Sequence, residues 1–377
     1  IKVMILVRSI KQNFSINLPV DRFLQNKTLD ALTKEILRLR ASANDMFDDV
    51  SPIFKDVHNL LDELQDMPRC RPIIDDAYTF PRRVLLTGAT GYLGTILLHH
   101  LLCNPVIDKV FLLVRESSIK MAWQRIVDAG TRARWWNDNF RERICIWLGD
   151  LRKPCLGLDQ SSWEALSGDS DPSQCIQGIV HNGAAVDWLG TYETLRAVNV
   201  MSTYELLRVA RVSPHLARFV FVSTSPDMDL QHDVSDQVAF RHELSLPGGY
   251  TQSKMMAEYM LLQATSRQFV AEDRISILKP GFIIGDSPHG IANVDDYVWR
   301  IVAGCVAIGS FPAEPSANWI YLASCGSLAS TAVENLSVTS HKRPLTCNVV
   351  GGLDPGRFWR AVNSTLPAPL KEVSVAQ

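Results

Sequence analysis

Thr87-Gly88-Ala89-Thr90-Gly91-Tyr92-Leu93-Gly94 follows directly on the apolar run Val84-Leu85-Leu86. It opens a segment in which Leu93, Ile96, Leu97 and Leu101 recur at helical spacing. The order is strand, tight turn, helix. Gly88, Gly91 and Gly94 let the backbone turn without Cβ clashes and approach a pyrophosphate closely. They also bring helix against strand, so that the helix N-terminus faces the phosphate charge. Gly-x-x-Gly-x-x-Gly by itself is a weak signal, and the flanking strand and helix supply the context it needs. Thr87, Gly88, Thr90, Gly91, Tyr92, Leu93 and Gly94 are therefore expected to cradle a dinucleotide.

Working outward, 377 residues suffice for one large domain or two ordinary ones. A hydrophobic share of 46% and a charged share of 21% fit an ordinary soluble globular protein. The net charge of −2 leaves no basic footprint for nucleic acid. No apolar run approaches the roughly 20 residues of a membrane span. The eight cysteines are scattered without close pairing, which argues against a metal site or disulfide framework and for reduced thiols in a cytoplasmic setting. Ile1 is not an initiator Met and begins in mid-pattern, as an interior residue of a longer chain would; no charged n-region or cleavage site marks a signal peptide.

Toward the N-terminus, Val3, Leu6, Val7, Ile10 and Phe14 share one helical face, and Asn17-Leu18-Pro19 breaks it. Thr28 is a candidate N-cap for a second helix carrying Leu29, Leu32 and Ile36. From about Ala41 to Pro81 the chain turns acidic. Ser51-Pro52 is expected to start a linker helix with Phe54, Val57, Leu61 and Leu64 facing inward.

Toward the C-terminus, strands and helices alternate. Val110-Phe111-Leu112-Leu113-Val114 reads as a buried strand ending at Arg115. In a dinucleotide fold this strand end meets the adenosine ribose; an acid there favours NAD, whereas a cation pairs with the extra phosphate of NADP. Arg115 thus predicts NADPH, with Arg125 as a second cation. Ile144 to Leu148 is a further strand, followed by Gly149-Asp150-Leu151; Asp150 is placed for the adenine amino group. Ile179-Val180 runs into His181-Asn182-Gly183-Ala184, where small residues let the backbone lie against a ligand. His181 alone is more often structural than catalytic and receives no role. Asn199 falls inside a helical segment, where an Asn is mildly unfavourable, which implies a backbone or water contact.

Phe219 to Val222 is a buried strand ending in Ser223-Thr224-Ser225, and Tyr250-Thr251-Gln252-Ser253-Lys254 follows later on a helix. Tyr and Lys four apart share a helix face, so the ammonium favours the phenolate and lowers the tyrosine pKa. A strand-end hydroxyl then holds a carbonyl against that phenol. Such a Thr–Tyr–Lys set suits proton transfer to oxygen while hydride reaches carbon.

Taken in order, Thr87–Gly94, Asn182-Gly183-Ala184, Ser223-Thr224, Tyr250 with Lys254, and Lys279-Pro280-Gly281 resemble the extended short-chain dehydrogenase/reductase superfamily. Leu113-Val114-Arg115, Val180 to Ala184, Leu195 to Leu207, Gly249 to Lys254 and Gly281-Phe282-Ile283-Ile284-Gly285 further resemble a thioester reductase domain. Such domains end nonribosomal peptide synthetases, carboxylic acid reductases and some fungal polyketide synthases, in secondary metabolism. Residues 1–36, with Phe14 to Pro19 and Phe23-Leu24, resemble the back half of a carrier domain whose phosphopantetheine serine would precede Ile1.

The resemblance implies an α/β fold: a Rossmann-type doubly wound parallel sheet, a smaller C-terminal substrate lobe and a short all-α N-terminal segment. The expected division is a partial carrier at 1–40, an acidic linker at 41–82, an NADP-binding domain at 83–280 and a substrate lobe at 281–377. Tyr250 would protonate the thioester or aldehyde oxygen, Lys254 would hold the nicotinamide ribose, and Thr224 would orient the carbonyl, with Ser223 or Ser225 as alternatives. Asn199 would support a proton relay through water, and Pro280, Gly281, Phe282 and Ile283 would line the nicotinamide. The implied partner is a phosphopantetheine-tethered acyl thioester on a carrier, reduced by NADPH to an aldehyde or on to an alcohol. The protein would be monomeric or part of a larger multidomain chain. The competing readings are a non-redox Dieckmann-type release, a reductase or epimerase of free small molecules, and an inactive synthetase fragment. Val294 to Arg300 is expected to be helical, and Trp299, Trp319 and Trp359 either line an acyl pocket or pack the core.

Overall fold

The decisive turn sits at the end of an interior strand of a seven-stranded sheet. The computed structural model describes residues 28–70, 80–187, 189–224, 248–285, 290–313, 320–337 and 345–373, with backbone alone for residue 35 and residues 37–51. The expectations drawn for residues 1–27, for Ser225 and for Trp319 lie outside the described residues.

The sheet comprises β1 (Arg83–Thr87), β2 (Lys109–Val114), β3 (Ile144–Leu148), β4 (Gly178–His181), β5 (Arg218–Val222), β6 (Ile275–Pro280) and β10 (Thr346–Val349). Its order is β10-β6-β5-β4-β1-β2-β3, and every neighbouring pair is parallel. Strands such as Arg218–Val222 are buried throughout, as their unbroken apolar runs require when helices cover both faces. One face packs on the helices α2 (Tyr92–Cys103), α3 (Ile119–Arg132) and α9 (Cys325–Asn335). The other packs on α1 (Leu29–Asp66), α4 (Gln160–Ser167), α5 (Tyr192–Arg196), α6 (Ser202–Val212) and α7 (Gly249–Ser266). From β1 the chain runs outward to β2 and β3, then returns to β4 on the other side of β1. This reversal opens a crevice at the carboxyl ends of β1 and β4, where such folds bind ligands.

The division at residue 40 falls inside a single helix. Thr28 does cap it, accepting from the Ala31 amide at 3.2 Å, but α1 then runs on through Pro52 to Asp66. Phe54, Val57, Leu61 and Leu64 are all buried against α7 and its neighbours, together with Ile53 and Leu60. Part of the acidic character of this stretch is paired rather than solvated. Asp56 accepts from the Arg196 guanidinium twice, at 2.6 Å each, and from the Tyr192 hydroxyl at 2.9 Å; Tyr204 donates to Glu63 at 3.0 Å. The second half of the linker thus forms a wall of the main core.

The division at 280 is crossed as well. β7 (Phe282–Gly285), β9 (Ile320–Ser324) and β11 (Gly351–Leu353) form a small sheet. β8 (Ser310–Pro312) pairs with β12 (Lys371–Val373), and α8 (Tyr297–Ile308) and α10 (Pro355–Thr365) complete the lobe. Val298, Phe311, Leu322, Phe358, Trp359 and Leu370 give this lobe a core of its own. Between these pieces, however, the chain returns to the main domain: α9 packs on α2, and β10 extends the large sheet beside β6. Trp359 stacks on Phe311 at 4.9 Å and is core, and Trp299 donates its indole N–H to the Ile284 carbonyl at 2.8 Å. The helix expected from Val294 starts at Tyr297, because Asp296 caps it.

Candidate active site

All seven strands of the large sheet run the same way, so the segments that follow β1, β2, β4, β5 and β6 emerge along one edge. The Gly-rich turn, Arg115, Asn182–Ala184, Ser223-Thr224 and Gly281-Phe282 therefore line that edge. Helix α7 brings Tyr250 and Lys254 to the same place, since Lys254 donates to the carbonyl of Val222, the last residue of β5, at 2.7 Å.

The turn has the shape a pyrophosphate needs. A Cβ on Gly94 would lie 1.9 Å from the Gly88 carbonyl oxygen, so only glycine lets α2 start this close to the strand. Gly88 has φ +74°, and a Cβ there would lie 2.8 Å from the Cα of Gly183. Gly91 precedes α2 without any side-chain cap, which leaves first-turn amides for an anion. These features fit a dinucleotide phosphate. Tyr92 is drawn the other way, donating its hydroxyl to the Ile291 carbonyl at 2.6 Å across the crevice, and Leu93 is buried in the core.

Arg115 is exposed at the end of β2, and its guanidinium makes no hydrogen bond or ion pair among the described residues. Arg125 reaches from α3 to the same spot. It donates to the Thr90 hydroxyl at 3.0 Å, to the Glu116 carboxylate at 2.8 Å and to the Arg115 carbonyl at 2.9 Å. It thus ties the turn to the end of β2 while its own charge is partly matched by Glu116. Asp150 follows β3, but Arg152 holds its carboxylate through Nε and Nη2, the latter at 2.7 Å. Those bonds, chiefly, pull the Asp150 carboxyl below its ordinary range. An adenine amino group would have to share an acceptor already engaged by Arg152. Leu151 packs beside Gly183, whose Cβ would lie 2.7 Å from a Leu151 methyl. Asn182 is half-buried, its amide 3.5 Å from the Gly88 carbonyl, and Ala184 is half-buried as well.

His181, left without a role by the sequence, is the clamp between these two strand ends. Its Nδ1 lies 2.7 Å from the Thr87 hydroxyl, which also accepts from the Gly183 amide at 2.9 Å. On its other side Nε2 lies 3.2 Å from both the Ser202 and the Thr203 hydroxyls. Those two hydroxyls donate to the Val198 and Asn199 carbonyls, so the imidazole must donate from Nε2 and accept at Nδ1 from Thr87. Burial, with the Lys254 charge second, drives the His181 pKa down to about 3, so the ring is neutral.

Asn199 sits in a one-turn π-helical segment (Ala197–Met201) between α5 and α6. Its side chain accepts from the Ala185 amide at 2.8 Å and donates to the Ala185 carbonyl at 3.1 Å and the Ser253 hydroxyl at 2.9 Å. Both amide hydrogens are engaged, so Asn199 fastens the strand-end loop to α7 rather than offering a donor to water. This is the backbone contact its unfavourable helical position implied.

Of the three hydroxyls after β5, the buried Ser223 donates to Glu258 at 2.6 Å and is not available to a substrate. The Thr224 hydroxyl is half-buried and has no hydrogen-bond partner among the described residues. Lys254 is fully enclosed, with its ammonium 4.1 Å from the Phe221 ring centroid. Burial lowers its pKa to about 7, against an opposing pull from Glu258. Tyr250 departs from expectation: burial, with the Asp296 carboxylate second, pushes its pKa up to about 12. Loss of water around the phenol outweighs any help from the Lys254 ammonium one helical turn away. At the end of β6 Pro280 is buried; beyond it Ile283 is half-buried, and Phe282 is 39% exposed and stacks on Tyr297 at 5.4 Å. Gly281 passes tightly beside the Tyr321 backbone.

Glu258, Arg152 and the clamp role of His181 escaped the sequence reading. Glu258 alone carried a signal: a carboxylate inside the apolar run Met255 to Leu261, four residues beyond Lys254. Among the described residues no cluster of side chains suits a metal ion, and no helix is long and apolar enough to cross a membrane.

Known proteins are similar to this chain in sequence and in fold. The NAD-binding family model described as "Male sterility protein" matches residues 86–323. The nonribosomal peptide synthetase inpA of Emericella nidulans is 33% identical over 84% of this chain and 21% of its own length. N-benzoylphenylalaninol synthetase apmA of Penicillium brevicompactum is 30% identical over 99% of this chain and 15% of its own. The chain therefore spans about a fifth or less of these curated relatives. Among solved structures, the PhqB reductase domain from Penicillium fellutanum superposes with a TM-score of 0.69 at 28% identity, covering 86% of this chain and 79% of that one. The terminal R domain of the myxalamid PKS-NRPS pathway gives 0.65 at 28% identity, over 81% and 74%. Given the glycine turn, the Tyr250–Lys254 helix and these matches, the chain belongs to the NAD-binding male sterility family, as a thioester reductase domain of the extended short-chain dehydrogenase/reductase superfamily.

Proposed function

We propose that this domain releases a carrier-bound acyl or peptidyl chain by NADPH-dependent reduction of its phosphopantetheine thioester to an aldehyde. The observation that supports it most is that Lys254, one helical turn after Tyr250, donates to the carbonyl of Val222, two residues before Thr224, at the sheet edge that also bears the glycine turn. When bound, NADPH supplies the hydride that adds to the thioester carbon. The glycine turn and the uncapped start of α2 hold its pyrophosphate, and Arg115, with Arg125 behind it, meets the ribose phosphate that separates NADPH from NADH. Lys254 directs its remaining N–H groups to the nicotinamide ribose. Thr224 donates to the substrate carbonyl oxygen. Tyr250, which keeps its phenolic proton at neutral pH, delivers it to that oxygen as charge develops there. The resulting hemithioacetal loses its carbon–sulfur bond, and its hydroxyl proton ends on the carrier thiol.

The test is NADPH consumption with an acyl-pantetheine thioester. Oxidation of cofactor matched by aldehyde, and lost in Tyr250→Phe, is expected. A cyclised product without oxidation would replace this reading with Dieckmann-type release. Thermal stabilisation by NADPH with no turnover on any thioester would reduce the domain to a binding module.

A further inference from the structure

Tyr250, Lys254 and Glu258 recur every four residues along α7 and so form one stripe facing the ends of β5 and β6. Glu258 is 5% exposed. One of its oxygens accepts from Ser223, the residue just before Thr224, at 2.6 Å. The other accepts from Lys279, the residue just before Pro280, at 2.8 Å. Ser223 is held a second time, its amide donating to the Leu278 carbonyl at 2.8 Å. One buried carboxylate thus joins the segment that carries Thr224 to the segment that leads into Pro280–Ile283.

We propose that Glu258 is a positioning residue of the reductase site. Its carboxylate sets the spacing of the β5 and β6 ends, and so of Thr224, and is the counter-charge of Lys254. The proposal rests on the reading of Tyr250, Thr224 and Lys254 as the reacting set. The groups that face Lys254 bear this out. From β4, His181 is neutral; from β6, Lys279 is a like charge engaged by Glu258; on α7 itself, Tyr250 is protonated; the π-helical segment contributes only the neutral Asn199. Among the described residues of these elements Glu258 is therefore the one anion acting on Lys254, while Asp296, just ahead of α8, acts on the Tyr250 phenol. Burial alone drives the Lys254 ammonium toward deprotonation near neutrality, and Glu258 opposes it.

The experiment separates charge from hydrogen bonding. Glu258→Gln keeps an acceptor for Ser223 but removes the charge; Ser223→Ala removes the bond but keeps the charge; Lys279→Met removes the competing cation. In the cofactor-free protein the Lys254 13Cε resonance, assigned by Lys254→Arg, is titrated by NMR. Its midpoint is expected to fall by a unit or more in Glu258→Gln, to rise in Lys279→Met and to stay put in Ser223→Ala, with Glu258→Asp returning it toward wild type. The limb of the turnover–pH profile on which activity is lost with rising pH should move with that midpoint. Ser223→Ala should instead lower kcat at every pH. An unmoved Lys254 midpoint in Glu258→Gln, or an equal shift in Ser223→Ala, would overturn the proposal. If Glu258→Gln does not fold, the direction of the Lys279→Met and Glu258→Asp shifts decides the same point. Absence of turnover in the wild type would count against the reductase reading alone, because the titration needs no substrate.

Discussion

His181 gives the sharpest prediction, because its neutral state is a structural requirement with a calculable pH signature. It accepts from Thr87 on one side and donates to Ser202 and Thr203 on the other, and a second proton would leave Nδ1 facing a donor. The folded ring therefore titrates near 3, whereas the unfolded residue titrates near 6.5. Between those values the unfolded chain binds a proton that the folded chain refuses, so stability falls as pH falls through that window. At about 1.4 kcal/mol per pH unit for one proton, the whole window is worth on the order of 5 kcal/mol, a large part of a domain's stability. Urea unfolding between pH 7 and about 5, above the range where most carboxylates titrate, isolates the histidines. In His181→Gln the side chain cannot take up a proton in either state. That variant starts less stable, because the Thr87 hydroxyl loses its acceptor, but its stability should decline with acidification by up to about 1 kcal/mol per unit less than the wild type. Parallel slopes for the two proteins would refute the clamp. So would an imidazole 15N spectrum showing a charged ring at pH 5.

The remaining predictions address the cofactor turn and the helix beneath it. Gly94→Ala must displace the turn or α2 by about 1 Å to relieve a 1.9 Å approach, so NADPH affinity by fluorescence titration should collapse. Gly91→Ala, whose Cβ would meet its nearest neighbour at 3.4 Å, should largely retain it. Leu61→Ala empties a fully buried position in the linker helix and should lower unfolding stability by roughly 2–5 kcal/mol in urea; a loosely attached linker would show almost no loss. Arg115→Asp should cut the kcat/KM preference for NADPH over NADH by roughly ten- to a hundredfold, the weight of one or two charge-assisted hydrogen bonds, and an unchanged ratio would assign the phosphate to other residues.

The local features were legible because each is a short-range necessity. An apolar run followed by spaced glycines and a helical face can form little other than the β1–turn–α2 unit, and the same holds for the strand ending at Val222 and the helix bearing Tyr250 and Lys254. What remained hidden depends on partners distant in sequence. The acidic connector reads as a linker helix with an inward apolar face, but the pairing of its Asp56 and Glu63 shows only when Arg196, Tyr192 and Tyr204, more than a hundred residues away, are seen to meet them. The boundary that the resemblance implies at 280 is crossed, because β10 and α9 bring the chain back to the large sheet.

The sequence by itself determined the class of fold, the place of the glycine turn and the helix that carries Tyr250 and Lys254 on one face, because motif spacing and periodicity are properties of neighbouring residues. Only the tertiary structure decided the electrical state of those groups. Helical spacing puts a cation beside a phenol and predicts a lowered tyrosine pKa. Burial, which no spacing reveals, raises the phenol, neutralises His181 and brings Lys254 near neutrality. Whether a charge survives in this site depends on what encloses it, and the enclosing residues come from every part of the chain.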